Sequence, residues 1–335
     1  MRIAIIRFSS LGDILCTGPA VRGLRNAFPE AELTYITTRV YSDIAAALPG
    51  VDRVAVIERR GPKFAQDVIR IAWEGPWDLV VDLQGSARSY KLLRRLKPVR
   101  SAIDTPPRFR RTLRIVTKLP MGKFSPVPLR MLRQMTPMRV MDDGSSLALN
   151  VPVEMKTEVC QRWGNELKGS VALIPGAKHA TKCWPGSYWA ELVRSFPPRL
   201  HLIVLGMKGE TPSELAKALD ERGSYLDLTG ETTLLEMAAI LTLSKAVISG
   251  DTGPMHMAVA VSTPLVAIYG PTVEEFGFFP FRAKATVLQR NLWCRPCSAH
   301  GTERCPLGHH RCMREIQPDD VLRALKGLDL KGLNS

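Results

Sequence analysis

Three loops carry residue types that could do chemistry. Ser249-Gly250-Asp251-Thr252-Gly253-Pro254-Met255-His256 joins an apolar run to a helix-like stretch. Asp251 or Thr252 can cap that helix, Pro254 suits its first turn, and Gly253 lets a ligand approach the backbone. Open N–H groups and the positive end of the helix dipole then form an anion site, with phosphate the natural occupant; the same residues also serve as a plain cap. In Ala177-Lys178-His179-Ala180-Thr181-Lys182-Cys183-Trp184-Pro185, Lys182 is held between Thr181 and a helix start. It can neutralise a diphosphate leaving group or stand as a surface lysine. Ser9-Ser10-Leu11-Gly12-Asp13 ends on a carboxylate where the chain turns into a helix. Such a group is a general base toward an acceptor hydroxyl, or an ordinary N-cap.

Two further features are regional. Between Arg88 and Arg139 the chain has fifteen Lys and Arg against one acid, Asp104, so that segment holds a charge equal to the +14 of the whole protein. A local basic field calls for an anionic partner: nucleic acid, phospholipid headgroups, or a phosphorylated or carboxylated substrate. Within it, residues 107–119 place Phe109, Leu113, Val116 and Leu119 on one helical stripe, with Arg108, Arg111, Arg114 and Lys118 elsewhere around it. That helix either lies in a membrane interface or packs its stripe on its own domain. Farther on, Cys294, Cys297, Cys305 and Cys312 fall within nineteen residues. They suit one structural Zn²⁺, or free thiols and facultative disulfides; Cys16, Cys160 and Cys183 read as isolated thiols.

The elements that must position these loops alternate. Strands at 2–8, 32–37, 54–57 and 78–83 are separated by helices at 14–28, 41–48 and 65–73, with another at 87–96. After a linker around 142–152, strands at 171–174, 201–205, 246–249 and 264–269 alternate with helices at 185–196, 212–222, 233–243 and 254–261. This predicts an α/β protein of two doubly wound, Rossmann-like domains facing each other across a cleft, ligands lying beyond the carboxyl ends of the strands. At 335 residues, two domains are the default. The longest uncharged stretch, 253–273, is broken by prolines and glycines, so no membrane span is expected. The N-terminal apolar run stops at Arg7, short of a signal-peptide core, and a cytoplasmic location is expected.

Taken together, IRFSSLGD (6–13), VVDLQGSARS (80–89), PGAKHATKCWP (175–185), LGMKGE (205–210), LTGETTLLEMA (228–238), SGDTGPMHMA (249–258) and PLVAIYGPT (264–272) resemble glycosyltransferase family 9, the ADP-heptose:lipopolysaccharide heptosyltransferases. The resemblance implies a GT-B fold, with an acceptor domain at 1–160, a nucleotide-sugar domain at 161–317, and a C-terminal helix at 318–335 returning to the first domain. It implies inverting transfer of L-glycero-D-manno-heptose from ADP-heptose to the Kdo or heptose of the lipopolysaccharide inner core, with no cofactor needed for catalysis. Carried over by position, Asp13 matches the general base and Lys182 the lysine that holds the donor phosphates. Thr181, Glu210, Thr232, Asp251, Thr252, Gly253 and His256 fall on the donor side, and Ser10, Gln84 and Arg88 on the acceptor side. The basic segment then meets a lipid A-Kdo type acceptor, and the enzyme works peripherally on the anionic inner face of the inner membrane, with no nucleic acid partner.

Rival readings remain open at this level. Another nucleotide sugar could serve the same fold. A basic, zinc-containing nucleic-acid-binding protein would account for the charge and the cysteines but not for the α/β pattern or the capped loop. A nicotinamide-dependent oxidoreductase lacks its fingerprint, since the first βα turn reads SSLGD instead of G-x-G-x-x-G.

Overall fold

Near-continuous apolar runs build the centre of two sheets, as buried parallel strands require. In the first, β1 (Arg2–Ile6), β2 (Glu32–Thr37), β3 (Arg53–Val56), β4 (Leu79–Asp82) and β5 (Arg100–Ile103) lie in the order β3-β2-β1-β4-β5. In the second, β6 (Val171–Ile174), β7 (Leu202–Val204), β8 (Tyr225–Asp227), β9 (Ala246–Gly250), β10 (Leu265–Tyr269) and β11 (Ala285–Gln289) lie in the order β11-β10-β9-β6-β7-β8. All pairings are parallel; Ile3 lies opposite both Leu33 and Leu79, and Val171 opposite both Leu202 and Ala246. The strand order reverses between β1 and β4 and between β6 and β9. At such a switch point the two connections leave in opposite directions, and a crevice opens beyond the strand ends. This computed structural model describes residues 1–58, 61–120, 122 and 124–328, so Lys123 of the basic run and 329–335 of the expected last helix lie outside the described residues.

The chain forms two compact units, Met1–Pro107 with Ser125–Asn150, and Arg108–Phe124 with the residues from Val151 onward. The first unit packs Phe64, Ile71, Trp77, Val80 and Leu92 against its sheet. The second packs Trp184, Trp189, Phe196, Val204, Ile316 and Leu325. Among the described residues no helix is long and apolar enough to cross a membrane.

Several expectations are corrected. The helix expected over 14–28 is two helices, Leu11–Leu15 and Gly18–Ala27, because Pro19 has no N–H to continue the first and instead occupies the first turn of the second. The boundary expected at 160/161 falls at 150/151. Helix Val153–Trp163 packs on helix Leu234–Leu243 of the second unit, and Arg162 pairs with Glu236 at 3.1 Å. The stretch read as a linker is fastened to the first unit: Leu147 and Leu149 are buried, Arg22 pairs with Asp143 at 2.8 Å, and the Asn150 N–H donates to the Ala47 carbonyl. Helix Pro318–Gly327 buries Val321, Ala324 and Leu325 in the second core, so its described residues belong to the second unit. Strands β5, β8 and β11 were not expected; all three are edge strands, half-open to solvent and poor in the apolar run that marks a central strand.

Candidate active site

The first crevice is furnished by the loops leaving β1 and β4. Arg7 follows β1 directly and is buried. Its Nε donates to the Ser9 carbonyl at 2.8 Å and one terminal nitrogen to the Leu83 carbonyl at 2.5 Å. The other meets Asp13 Oδ1 at 2.8 Å. Asp13 Oδ2 accepts from the Ser10 N–H at 3.1 Å and the Ser10 hydroxyl at 2.7 Å. Burial pushes the Asp13 pKa up, but the Arg7 charge and the Ser10 hydrogen bonds outweigh it, and the carboxyl titrates below the ordinary Asp value. The group is therefore an anion at neutral pH, partly exposed and fixed at both oxygens.

Of the residues expected on the acceptor side, Ser10 meets Asp13 directly. Gln84 Oε1 accepts from the Phe8 N–H at 3.0 Å, lacing the β4 loop to the β1 loop. Arg88 sits half-buried on the first turn of helix Ala87–Leu96, whose start is capped by Ser86 through the Ser89 N–H. Beneath them lies Asp82, a buried carboxyl whose pKa is raised by desolvation and only partly restrained by its hydrogen bonds to Ser89 and to the N–H groups of Gly85 and Gln84.

The second crevice brings Lys182 and Asp251 together. Lys182 Nζ lies 2.7 Å from Asp251 Oδ2 and donates to the Asp251 carbonyl at 2.9 Å. Thr272, just past β10, donates its hydroxyl to the same carboxylate oxygen at 2.6 Å. An ammonium has three N–H bonds, so one remains for a ligand after Asp251 takes two. Lys182 is held in place by its neighbour: Trp184 is buried edge-on against Trp189 at 5.2 Å, and its indole N–H donates to the Ile316 carbonyl at 2.9 Å.

Helix Gly253–Ala260 starts beside this pair. Thr252 occupies its N-cap but makes no side-chain cap bond; its hydroxyl turns to Ser249 Oγ at 3.2 Å. The start of the helix thus keeps its N–H groups for another acceptor, which is what an anion site needs. Gly253 is the first helical residue, and His256, buried, stands edge-on to Phe278 at 6.4 Å between ring centroids.

Glu210 Oε2 accepts from the Met207 N–H at 2.8 Å. A Cβ on Gly176 would fall 2.2 Å from Glu210 Cδ, and one on Gly206 would fall 2.6 Å from Oε2, so these glycines make room for the carboxylate at the ends of β6 and β7. Gly176→Ala must displace it, and a loss of about 1–3 kcal/mol of stability is expected from overpacking, measured by denaturant unfolding. Thr232 Oγ1 is buried without a partner among the described residues, beside the capping box that Thr233 forms with Glu236.

Thr181 bonds to the cysteine-rich segment. Its hydroxyl donates to the Thr302 carbonyl at 2.7 Å and accepts from the Thr302 N–H at 2.8 Å, which ties this loop to the cysteine-rich segment. In that segment the four thiols are free, and among the described residues no three His, Cys, Asp or Glu side chains gather in a group fit for a metal ion. Burial, with Cys297, Cys305 and Cys294 adding to it, pushes the Cys312 thiol up to about 11.

Two partners escaped the sequence reading. Arg7 had a signal, a lone charge at the end of an apolar strand two residues before Ser9. Thr272 had none, because its role depends on β10 lying beside β9.

Residues 73–307 match the sequence profile of Glycosyltransferase family 9 (heptosyltransferase). A lipooligosaccharide heptosyltransferase 2 of Campylobacter jejuni is 28% identical over 187 residues, which are 54% of this chain and 57% of that protein, so the chain spans little more than half of that relative. A lipopolysaccharide heptosyltransferase 1 of Pseudomonas aeruginosa is 25% identical over 323 residues, 89% of this chain and 86% of the relative. The structure of E. coli ADP-heptose LPS heptosyltransferase II superposes with a TM-score of 0.78 at 21% identity, covering 98% of both chains. That likeness shows the fold to be GT-B, built here from two doubly wound parallel sheets. With the profile covering most of its length, the chain belongs to glycosyltransferase family 9.

Proposed function

We propose that the protein is a heptosyltransferase of lipopolysaccharide core synthesis that takes L-glycero-D-manno-heptose from ADP-heptose and inverts the anomeric centre. The observation that carries this reading is the second crevice: a helix start whose cap residue leaves the N–H groups open, with Lys182 beside it. Membership of the family and relatives named as lipopolysaccharide heptosyltransferases support it. So does a solved relative named as the E. coli heptosyltransferase WaaC with ADP.

In this mechanism negative charge grows on the diphosphate as its bond to the sugar breaks. Lys182 and the N–H groups at Gly253 and Met255 meet that charge, and they gain more in the transition state than in the ground state. Asp13 takes the acceptor hydroxyl proton as the oxygen attacks the opposite face of the anomeric carbon. Glu210 and Thr232 face the ribose and adenine, and the unsatisfied Thr232 hydroxyl gains a partner there. Ser10, Gln84 and Arg88 meet the acceptor. An acceptor bearing carboxylates and phosphates suits the basic segment, and the enzyme works at the cytoplasmic face of an anionic membrane.

Calorimetric titration with ADP-heptose, ADP, UDP and GDP tests the donor. Selective binding of the adenine nucleotides is expected. A preference for UDP or GDP would favour a transferase of the same fold with another nucleotide sugar, and absence of nucleotide binding would remove the reading.

A further inference from the structure

Helix Arg108–Thr117 is built inside out for a surface helix. At about 100° per residue, Phe109, Leu113 and Val116 fall within an arc of about 60°, with Arg110 and Arg108 about 100° to either side. The arc opposite holds Arg111, Arg114 and Lys118. A surface helix normally turns its apolar arc to the core. Here Phe109 is 78% and Val116 73% exposed, Leu113 is half-buried, and Leu119 just past the helix is 64% exposed, while Arg111 and Arg114 are 7% and 8% exposed.

Both buried arginines have inner partners, so the orientation is specified. Arg114 Nε pairs with Glu275 at 2.8 Å, and a terminal nitrogen donates to the Lys118 carbonyl at 2.7 Å. Arg111 donates to the Phe276 carbonyl at 3.2 Å, with its guanidinium 5.1 Å from the Phe278 ring centroid and 5.8 Å from that of Phe276. Lys118 Nζ donates to the Pro296 carbonyl at 2.5 Å. Turning the helix over would set Phe109, Leu113 and Val116 against the Glu275 carboxylate and the Phe276 carbonyl, which would lose their charged partners. The contrast with helix Ala87–Leu96 is direct: equally basic, it buries Leu92, Leu93 and Leu96 and leaves Lys91, Arg94 and Arg95 in water.

We propose that the outward face of helix Arg108–Thr117, with Leu119, is a membrane-docking face: Phe109, Leu113, Val116 and Leu119 enter the interface of an anionic bilayer while Arg108 and Arg110 meet its headgroup phosphates. Charge decides for this occupant. An apolar strip bordered on both flanks by exposed cations, within a segment of +14, fits an anionic lipid surface, which supplies acyl chain below and phosphate at either side. A second copy of the same strip would set cation against cation. The inference deepens the proposed function and rests on it only for the biological reason to dock, a lipid-anchored acceptor; the binding itself stands or falls separately.

The test is co-sedimentation of the full chain with vesicles of phosphatidylglycerol and phosphatidylethanolamine, against vesicles of phosphatidylcholine alone. Binding to the anionic vesicles that weakens with salt is expected, with a loss of at least ~10-fold in partitioning for Phe109→Ser/Val116→Ser, since each buried side chain contributes on the order of a tenfold factor. ADP titration of that variant reports whether the second unit still folds. Arg108→Gln/Arg110→Gln, confined to exposed positions, is expected to flatten the salt dependence. Equal binding to phosphatidylcholine, unchanged binding by both variants, or a change in self-association without a change in vesicle binding would overturn the proposal. Vesicle binding in a protein that binds no nucleotide would instead leave it standing and count against the transferase reading.

Discussion

Replacing Asp13 by Asn lowers transfer by at least ~10²-fold with donor affinity unchanged, the loss expected when a general base is removed while its shape is kept. The measurement is ADP release with ADP-heptose and acceptor, beside calorimetry with ADP alone. Near-wild-type turnover in Asp13→Asn would sink the role. The ion pair with Arg7 adds a pH signature. Because the Arg7 charge and the Ser10 bonds hold the Asp13 pKa below its ordinary value in spite of burial, the acid limb of the rate profile lies below the usual carboxylate range. Arg7→Leu leaves burial unopposed by that charge, so the limb moves to higher pH. A substitution that merely loosened the loop would lower the rate at every pH without moving the limb, which separates positioning from general damage.

Lys182→Ala is expected to cost transfer at least ~10²-fold, as does removing one donor to a developing oxyanion, and also to weaken ADP binding. The structure supplies a second, less obvious part of the effect. Lys182 shares its charge with Asp251 at 2.7 Å, so the single change leaves a buried carboxylate beside the proposed diphosphate position. Part of the loss is then repulsion by Asp251. The double variant Lys182→Ala/Asp251→Asn should bind ADP more tightly than Lys182→Ala alone, while transfer stays low in both, because neither carries the ammonium. Additive losses in the double variant would show that the two side chains act independently.

Much of the fold, and the loops of the candidate site, were legible. The central strands are apolar runs that only a parallel sheet covered on both faces can use, and the loops carrying Asp13, Lys182 and Asp251 follow them directly. What escaped depends on neighbours distant in sequence. The contact of Lys182 with Asp251 spans 69 residues and exists only because β6 lies beside β9. Thr181 sits next to Lys182 and is as well suited to phosphate by type, yet its hydroxyl is spent on Thr302, a partner 121 residues away that no local pattern announces. The four cysteines were legible as a spacing but not as an arrangement, since spacing leaves open which way each thiol turns. Helix Arg108–Thr117 was legible as amphipathic, and its direction was not: periodicity locates a stripe, but only the carboxylate of Glu275 and the rings of Phe276 and Phe278 decide which arc faces inward.

The division of the chain has a consequence for taking the protein apart. Because Arg108–Phe124 belongs to the second unit while the residues on both sides belong to the first, the backbone passes from one unit to the other three times, at 107/108, 124/125 and 150/151. A single cut at 150/151 would leave the N-terminal fragment holding a helix whose arginines have lost Glu275, and the C-terminal fragment with Phe276 uncovered where Phe124 had stacked on it. Neither half is a self-sufficient piece of gene. Recombination or splitting that swaps first and second halves between relatives has to carry residues 108–124 along with the second half, out of their order in the sequence.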